Sequence, residues 1–182
     1  MQKQMIWLSL AAAVLVALPA ARAAAWDPEE AKKEDREYEE SLADFKKTEP
    51  RLKVYFENAY GYALFPTVGK GGFVVGATYG KGRVYVGGKL VGTSTLSQGS
   101  VGATVGYEAF GEIVFFSNKA AFEEFKNGHA KFAAKASAYA IKAGAGTTAD
   151  YDNGVAVFVK GKGGLMADAS IGGQGFTYEP VK

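Results

Sequence analysis

Only one histidine, His129, is available in this chain as a base for nucleophilic catalysis. A serine or threonine nucleophile needs a base within hydrogen-bond reach. His129 follows Gly128 at the start of a predicted helix, which favours a surface or capping role. The chain has no cysteine, which excludes thiol chemistry, and with only one histidine as well it lacks the usual zinc ligand sets. The sequence therefore predicts no catalytic residue, no metal site and no cofactor, and hence a protein that is not an enzyme.

Two glycine-containing motifs resemble ligand-binding loops only in part. Residues 150–154 read DYDNG, but their spacing is one residue short of a calcium loop and the required glutamate is missing, so they predict a turn. Residues 76–82 lack the spacing of a phosphate-binding loop and lie between strands rather than before a helix. We expect Gly80, Lys81 and Gly82 to form a hairpin turn instead.

A first group of basic side chains lies on the helix predicted over residues 129–143. At about 100° per residue, Lys131, Lys135 and Lys142 project within about 40° of one another, beside an apolar stripe. Lysines in this position can bind phosphate headgroups while their stems cover apolar surface. The same pattern is also typical of the solvated face of a helix that packs on a sheet, so both interpretations stay open.

A second group consists of Lys70, Lys81, Arg83 and Lys89, which lie at or near glycine-rich turns, and the first three are the predicted lipid-binding members. Backbone N–H groups exposed at glycine turns can add to an anion-binding concavity. The two groups together predict an anionic phospholipid, or a membrane surface that carries it, as the partner.

The N-terminus has the order of a secretory signal peptide. Lys3 precedes an apolar run over residues 5–18, and Ala21-Arg22-Ala23 then supplies small residues for cleavage between Ala23 and Ala24, with cleavage after Ala25 as the alternative. The run is shorter than the roughly 20 residues that a spanning helix needs. We expect residues 1–23 to be removed, leaving a periplasmic or secreted protein that has no integral span and contacts membranes peripherally.

Charge divides the rest of the chain into two parts. Residues 24–50 carry ten acidic and five basic side chains, whereas residues 51–182 carry fourteen basic and nine acidic ones. The net charge of residues 24–182 is therefore near zero, which is not typical of a polycationic protein that binds nucleic acid. We interpret 24–50 as a charged N-terminal helical segment and 51–182 as the binding domain. The acidic segment also leaves open a structural or interaction module for another envelope protein, whose identity the sequence does not specify.

Periodicity predicts the elements that position these residues. Helical spacing over residues 27–47 and 52–60 is followed by period-two alternation from Phe73 onward, with further strands at 83–86, 101–108, 112–116, 155–160, 165–171 and 176–178. Asn118 or Ser117 caps a short helix that ends near Gly128. Strand glycines such as Gly76 predict a glycine-lined face that a helix or a ligand approaches closely. The fold class is α+β: a single domain with a largely antiparallel, Gly-rich β-sheet packed with several α-helices and preceded by a charged N-terminal helix.

An ordered set of motifs resembles the SYLF domain family. The set comprises AYGYALFP at 59–66, KGGFVVG at 70–76, YGKG at 79–82, SVGATVGY at 100–107, EIVFF at 112–116, FKNGH at 125–129 and GGLMA at 163–167. The resemblance covers about residues 52–178, although AGAG at 143–146 differs from the usual Gly-Pro of the family. It implies binding of phosphoinositides and other anionic phospholipids, and in some fungal and animal relatives actin bundling. For an exported bacterial protein, it implies phosphatidylglycerol, cardiolipin or lipid A as ligands.

Overall fold

The structure is a computed structural model that describes residues 28–73, 75–101, 106–128, 151–161, 164–166 and 174–181. The predicted signal peptide, with its cleavage site at Ala23 and Ala24, lies outside the described residues. So does the predicted helix 129–143, which carries His129 and the first group of lysines, Lys131, Lys135 and Lys142.

Within the described residues, three α-helices form where the sequence supplies starting and stopping signals. Helix α1 (Pro28–Thr48) has Pro28 in its first turn, where the missing N–H does no harm, and it carries acidic residues there and basic residues in its last turn, as the helix dipole favours. After Glu49 the chain restarts as one 3₁₀ turn, and Asn118 caps the third helix by accepting from the backbone N–H of Ala121 at 3.0 Å. The helical segments are α1 (Pro28–Thr48), the 3₁₀ turn (Pro50–Leu52), α2 (Lys53–Asn58) and α3 (Lys119–Lys126).

The strands of the described residues are β1 (Gly61–Phe73), β2 (Val75–Val86), β3 (Lys89–Val101), β4 (Gly106–Phe116), β5 (Val155–Gly161), β6 (Gly164–Met166) and β7 (Gly175–Pro180). They form one seven-stranded sheet in the order β6-β5-β4-β1-β2-β3-β7, and every neighbouring pair is antiparallel. This confirms the predicted α+β class with a charged N-terminal helix before the sheet.

The hairpin turn that the sequence predicted after the start of β2 lies elsewhere. Strand β2 runs without interruption through Gly80, Lys81 and Gly82, so the predicted turn at these residues is wrong. The turn falls at Gly87 and Gly88, whose φ angles of 56° and 76° are those that a tight two-residue hairpin needs. Glycine content predicted a turn at Gly80 and Gly82, but only the later pair, Gly87 and Gly88, adopts a turn conformation.

Each face of the sheet has its own core. On one face, which we call the α3 face, α3 packs with Phe122 and Phe125 over a cluster that includes Phe65 and Val114. On the other, the α1 face, α1 and α2 cover a second cluster; its buried members are Tyr38, Phe45, Leu52, Tyr55, Leu64, Ile113, Phe115, Ala156 and Phe158. The acidic N-terminal helix therefore packs on the same sheet as the rest of the chain.

A β-bulge in β1 changes the face on which later residues of that strand lie. The register shifts between Leu64 and Val68 against β2, and both Phe65 and Val68 belong to the α3-face core. Beyond the bulge, even-numbered positions such as Lys70 face α3, and odd-numbered ones such as Gly69 face α1. The bulge thus decides which basic residues of β1 and β2 can meet.

Side chains of neighbouring strands cover the strand glycines. A Cβ at Gly82 would lie 2.5 Å from ring carbons of Phe65, one at Gly80 2.9 Å from Cγ2 of Val68, and one at Gly92 2.4 Å from the ring of Tyr178. The predicted close approach to glycine is therefore present at these positions. It is made by adjacent strands rather than by a helix or a ligand, since large side chains of β1 and β7 lean into the space that the missing side chains leave.

Candidate functional site

Arg83, one of the predicted lipid-binding residues, holds α1 on the sheet. One guanidinium nitrogen lies 2.6 Å from Oδ1 of Asp35, and the guanidinium carbon lies 4.2 Å from the centroid of the Tyr38 ring. The Arg83 side chain is only 18% exposed. Burial lowers the pKa of Arg83, but the hydrogen bond and the charge of Asp35 outweigh it, so the pKa is raised. Burial and, next, the charge of Glu34 raise the pKa of Tyr38, so both groups keep their ordinary protonation states under this helix.

A second cation holds the opposite flank of α1. Lys160 of β5 forms an ion pair with Asp44, and its Nζ lies 5.9 Å from the centroid of the Phe45 ring. Asp35 and Asp44 are nine positions apart, which at about 100° per residue places them on opposite sides of the helix. Tyr38 and Phe45, seven positions apart, point between them into the core. Cations of two different strands therefore clamp α1 with its apolar stripe against the sheet.

We expect Arg83→Gln to lower the free energy of unfolding by about 1–2 kcal/mol, because it removes a partly buried ion pair and the cation–π contact with Tyr38. Chemical denaturation followed by circular dichroism measures this change. Lys32→Gln is the matched control, since Lys32 pairs with Glu29 on the solvent side of the same helix and both side chains are mostly exposed. Its effect should stay within about 0.5 kcal/mol. Equal effects of the two variants would contradict the role of Arg83 in docking α1.

The three described members of the predicted lipid-binding set do not form one concavity. Lys70 is opposite Thr78 in β2 and Glu108 in β4, and Thr78 is buried on the α3 face. Lys81 and Arg83 alternate with the α3-face residues of β2 and therefore lie on the α1 face. The expected position of Lys70, Lys81 and Arg83 at or near glycine-rich turns is wrong, because all three lie within strands, and the bulge in β1 divides them between the two faces.

Lys81 is the member of this set that is exposed to solvent. Within the described ranges it has neither a hydrogen-bond nor an ion-pair partner. It lies at the rim of an open groove on the α1 face, beside the N-terminal half of α1, with a volume of about 550 Å³. We call this the tyrosine groove and define it by six sheet residues: Gly69, Gly71, Ala77, Tyr79, Lys81 and Tyr107.

Two tyrosines flank the floor of the tyrosine groove from opposite strands. Tyr79 of β2 is opposite Gly69 and Tyr107 of β4 is opposite Gly71, so the two rings stand on either side of β1. Their exposed fractions, 53% and 76%, are the largest among the large apolar side chains of the described residues. The Tyr107 ring leans over Gly69, where an added Cβ would lie 3.1 Å from the phenolic oxygen. Glycine at this position lets the ring lie close to the backbone.

Helix α1 supplies the polar rim of the groove. Glu34 and Glu37 both line it, and Glu37 accepts a hydrogen bond of 2.8 Å from Oγ1 of Thr67. The rim therefore combines two carboxylates with the ammonium group of Lys81. The sequence reasoning missed Tyr79, Tyr107 and the two glutamates as site residues, because only the fold shows that α1 packs over β1 and reaches Arg83 of β2.

A buried carboxylate on the α3 face was also missed. Glu112 is fully buried in β4 and its Oε2 accepts from Nε2 of Gln174 at 3.0 Å. The signal in the sequence is a single acidic residue at the start of the apolar run 112–116. A buried carboxylate is stable only when hydrogen bonds replace its lost hydration, so this pair contributes to the polar part of the core.

The segment that resembled part of a calcium loop ends in a turn. Asn153 and Gly154 have φ angles of 51° and 79°, and Asp152 and Val155 form an isolated bridge across them. This confirms the predicted Asn-Gly turn. Across the ranges that the structure covers, no group of three His, Asp or Glu side chains is placed to hold a metal ion. No helix in the same ranges is long and apolar enough to cross a membrane.

Comparison with known proteins gives a distant relative. No protein-family model matches the chain. Over 134 residues the chain is 29% identical to Beta cell expansion factor A of Aeromonas veronii, an alignment that covers 69% of this chain and 48% of that protein. The chain thus spans about half the length of this curated relative. The likeness is to part of a longer protein, so it transfers neither an activity nor a partner to this chain.

Proposed function

We propose that this protein is an exported, non-enzymatic SYLF-type protein that binds anionic phospholipid at membrane surfaces of the bacterial cell envelope. The resemblance of its motifs to those of SYLF domains supports the binding of lipid. The order of charged, apolar and small residues at the N-terminus supports export. The single histidine and the absence of cysteine leave few nucleophile and base combinations, which favours binding over catalysis.

The observation that carries the proposal is the exposed combination of Lys81 with Tyr79 and Tyr107 on one face of the sheet. Tyrosine has an apolar ring and a polar tip, which suits it to the boundary between headgroups and acyl chains. A lysine beside such rings can bind a lipid phosphate while its stem covers apolar surface. The lysine stripe Lys131, Lys135 and Lys142, which the sequence predicts, would add to the same attraction.

A second candidate function is an interaction module for another envelope protein, and the charge of α1 favours it. Asp35 and Asp44 form the ion pairs that hold α1 on the sheet. By contrast, Glu30, Glu39 and Glu40 are exposed on the outside of the helix. A basic partner surface could bind there. An acidic surface repels anionic membranes, so the two functions predict opposite responses to anionic lipid.

Vesicle co-sedimentation tests the lipid proposal. We expect the purified protein to sediment with vesicles that contain phosphatidylglycerol and largely to ignore pure phosphatidylcholine, and added salt should weaken the binding because exposed ionic contacts are screened. Lys81→Gln should weaken partitioning about fivefold, the equivalent of about 1 kcal/mol for one basic residue near an anionic surface.

Lys89→Gln is the control for charge alone. Lys89 is also exposed, but it lies after the Gly87–Gly88 turn, several residues from Lys81 and outside the tyrosine groove. Its effect on partitioning should be smaller than that of Lys81→Gln. Equal binding to neutral and anionic vesicles would show that the electrostatic mechanism is wrong. Equal losses in the two variants would show that the α1 face does not meet the membrane.

A further inference from the structure

The rim of the tyrosine groove limits what the groove can bind. It carries the carboxylates of Glu34 and Glu37 and the ammonium group of Lys81, so its net charge is negative. The carboxylates would repel an anionic headgroup inside the groove, so a lipid phosphate can contact only Lys81 at the rim. An apolar chain would remove water from three charges without replacing their hydrogen bonds, which is costly. The occupant must therefore offer hydrogen-bond donors and acceptors along its edge, with a positive charge among them.

The walls and floor require a different property of the same occupant. Tyr79 and Tyr107 present ring surfaces, and the floor between them consists of Gly69, Gly71 and Ala77. The Tyr107 ring leans over Gly69, so a flat group that packs on this ring approaches the floor beside it, at Gly71 and Ala77, where the floor residues are small. The occupant therefore needs a flat apolar face as well as a polar edge.

We propose that the tyrosine groove binds an amino sugar. The C–H face of a pyranose ring packs on a tyrosine ring, and its hydroxyl groups can both donate to carboxylates and accept from lysine. The ammonium group of the sugar is attracted by Glu34 and Glu37 and by the aromatic rings. The proposal does not rest on the binding of anionic phospholipid, since Lys81 at the rim can contact a membrane whether or not the groove is filled.

Nuclear magnetic resonance titration with a glucosamine disaccharide tests the site. We expect shifts of the backbone amide signals of Gly69, Gly71 and Ala77, with glucosamine binding more tightly than glucose because only the former carries the positive charge. Tyr107→Ala should weaken binding about tenfold and Tyr107→Phe much less, since the second variant keeps the ring. Leu90→Ala, which truncates an exposed apolar residue just after the Gly87–Gly88 turn, should have no effect.

Three results would overturn the proposal: no shift of these amides with any of the sugars, shifts with phosphocholine but not with sugar, or unchanged sugar binding in Tyr79→Ala/Tyr107→Ala. Sedimentation of that double variant with phosphatidylglycerol vesicles, which contain no sugar, tests the lipid proposal and not the sugar site. Loss of sugar binding in this variant supports the proposal for the groove whatever the vesicles show.

A further experiment uses phosphatidylcholine vesicles that contain a glucosamine-bearing lipid. Sedimentation with these vesicles assigns the sugar to a glycolipid. Binding of the free disaccharide without such sedimentation assigns it to a soluble glycan.

Discussion

Gly82→Ala should lower the free energy of unfolding by about 3 kcal/mol, at the upper end of what overpacking a core usually costs. The added Cβ would lie 2.5 Å from two ring carbons of Phe65, which is fully buried and packs on Phe176 with the ring centroids 5.7 Å apart. The ring cannot move aside without displacing the α3-face core. For a domain of this size the melting temperature should fall by about 9 °C, measured by calorimetry.

Gly99→Ala is the matched control, because Gly99 also lies in the sheet but an added Cβ there meets nothing within 4 Å. Alanine restricts the unfolded chain more than glycine, so this variant should be unchanged or stabilised by about 0.5 kcal/mol. Adding Phe65→Leu to Gly82→Ala should cost less than the sum of the two single changes, since the smaller side chain relieves the collision. Additive losses, or an unchanged melting temperature in Gly82→Ala, would contradict the tight contact between β1 and β2.

Local signals in the sequence were sufficient to predict where the helices of the described residues begin. Pro28, the break at Glu49 and Pro50, and the Asn118 cap each act within one turn of backbone, so their effects can be predicted without the fold. The end of α2 was predicted too late, near Gly61, whereas the helix ends at Asn58 and Gly61 begins β1. Apolar spacing at Ala59 and Tyr60 continues the helical pattern, but the chain there already turns to pair with β4.

Prediction of the strands would have required information that is not local in the sequence. Strand β1 occupies the centre of the sheet, yet the sequence analysis assigned no strand to residues 61–72, which contain Pro66 and four glycines. The bulge between Leu64 and Val68 accommodates the proline within the strand. In β2, alternation favours burial of Ala77 and Tyr79, but Thr78 and Gly80 are the buried residues, because Val68 of β1 fills the space above Gly80. Only the pairing partner determines which face of a strand is covered.

The same limit applies to the candidate site. Proximity in sequence suggested that Lys70, Lys81 and Arg83 act together, but the residues around Lys81 come from β1, β4 and α1. Asp35 lies 48 positions from Arg83, and no spacing rule links them. Residue types predicted that basic side chains would matter, and the fold assigns one of them to docking α1 and another to the rim of a groove.

The largest functional loss that we expect comes from the triple variant Lys131→Gln, Lys135→Gln and Lys142→Gln. These residues lie outside the described residues, and their helical spacing in the sequence is the basis of the prediction. If all three meet lipid headgroups, each removed charge weakens binding by about 1 kcal/mol, so partitioning into phosphatidylglycerol vesicles should fall on the order of a hundredfold. Salt should then weaken the parent protein more than the variant, because the variant has fewer charges to screen.

Lys46→Gln, Lys47→Gln and Lys53→Gln, combined, provide the matched control, since these three exposed lysines lie at the end of α1 and the start of α2 and their removal changes the net charge equally. Circular dichroism must show that both triple variants keep the fold. A hundredfold loss in the first and a small loss in the second would locate binding on the predicted lysine stripe. Equal losses would mean that total charge, not the stripe, drives partitioning. If the folded stripe variant binds as well as the parent while Lys81→Gln binds less, the stripe is only a solvated helix face and the α1 face is the surface that meets the membrane.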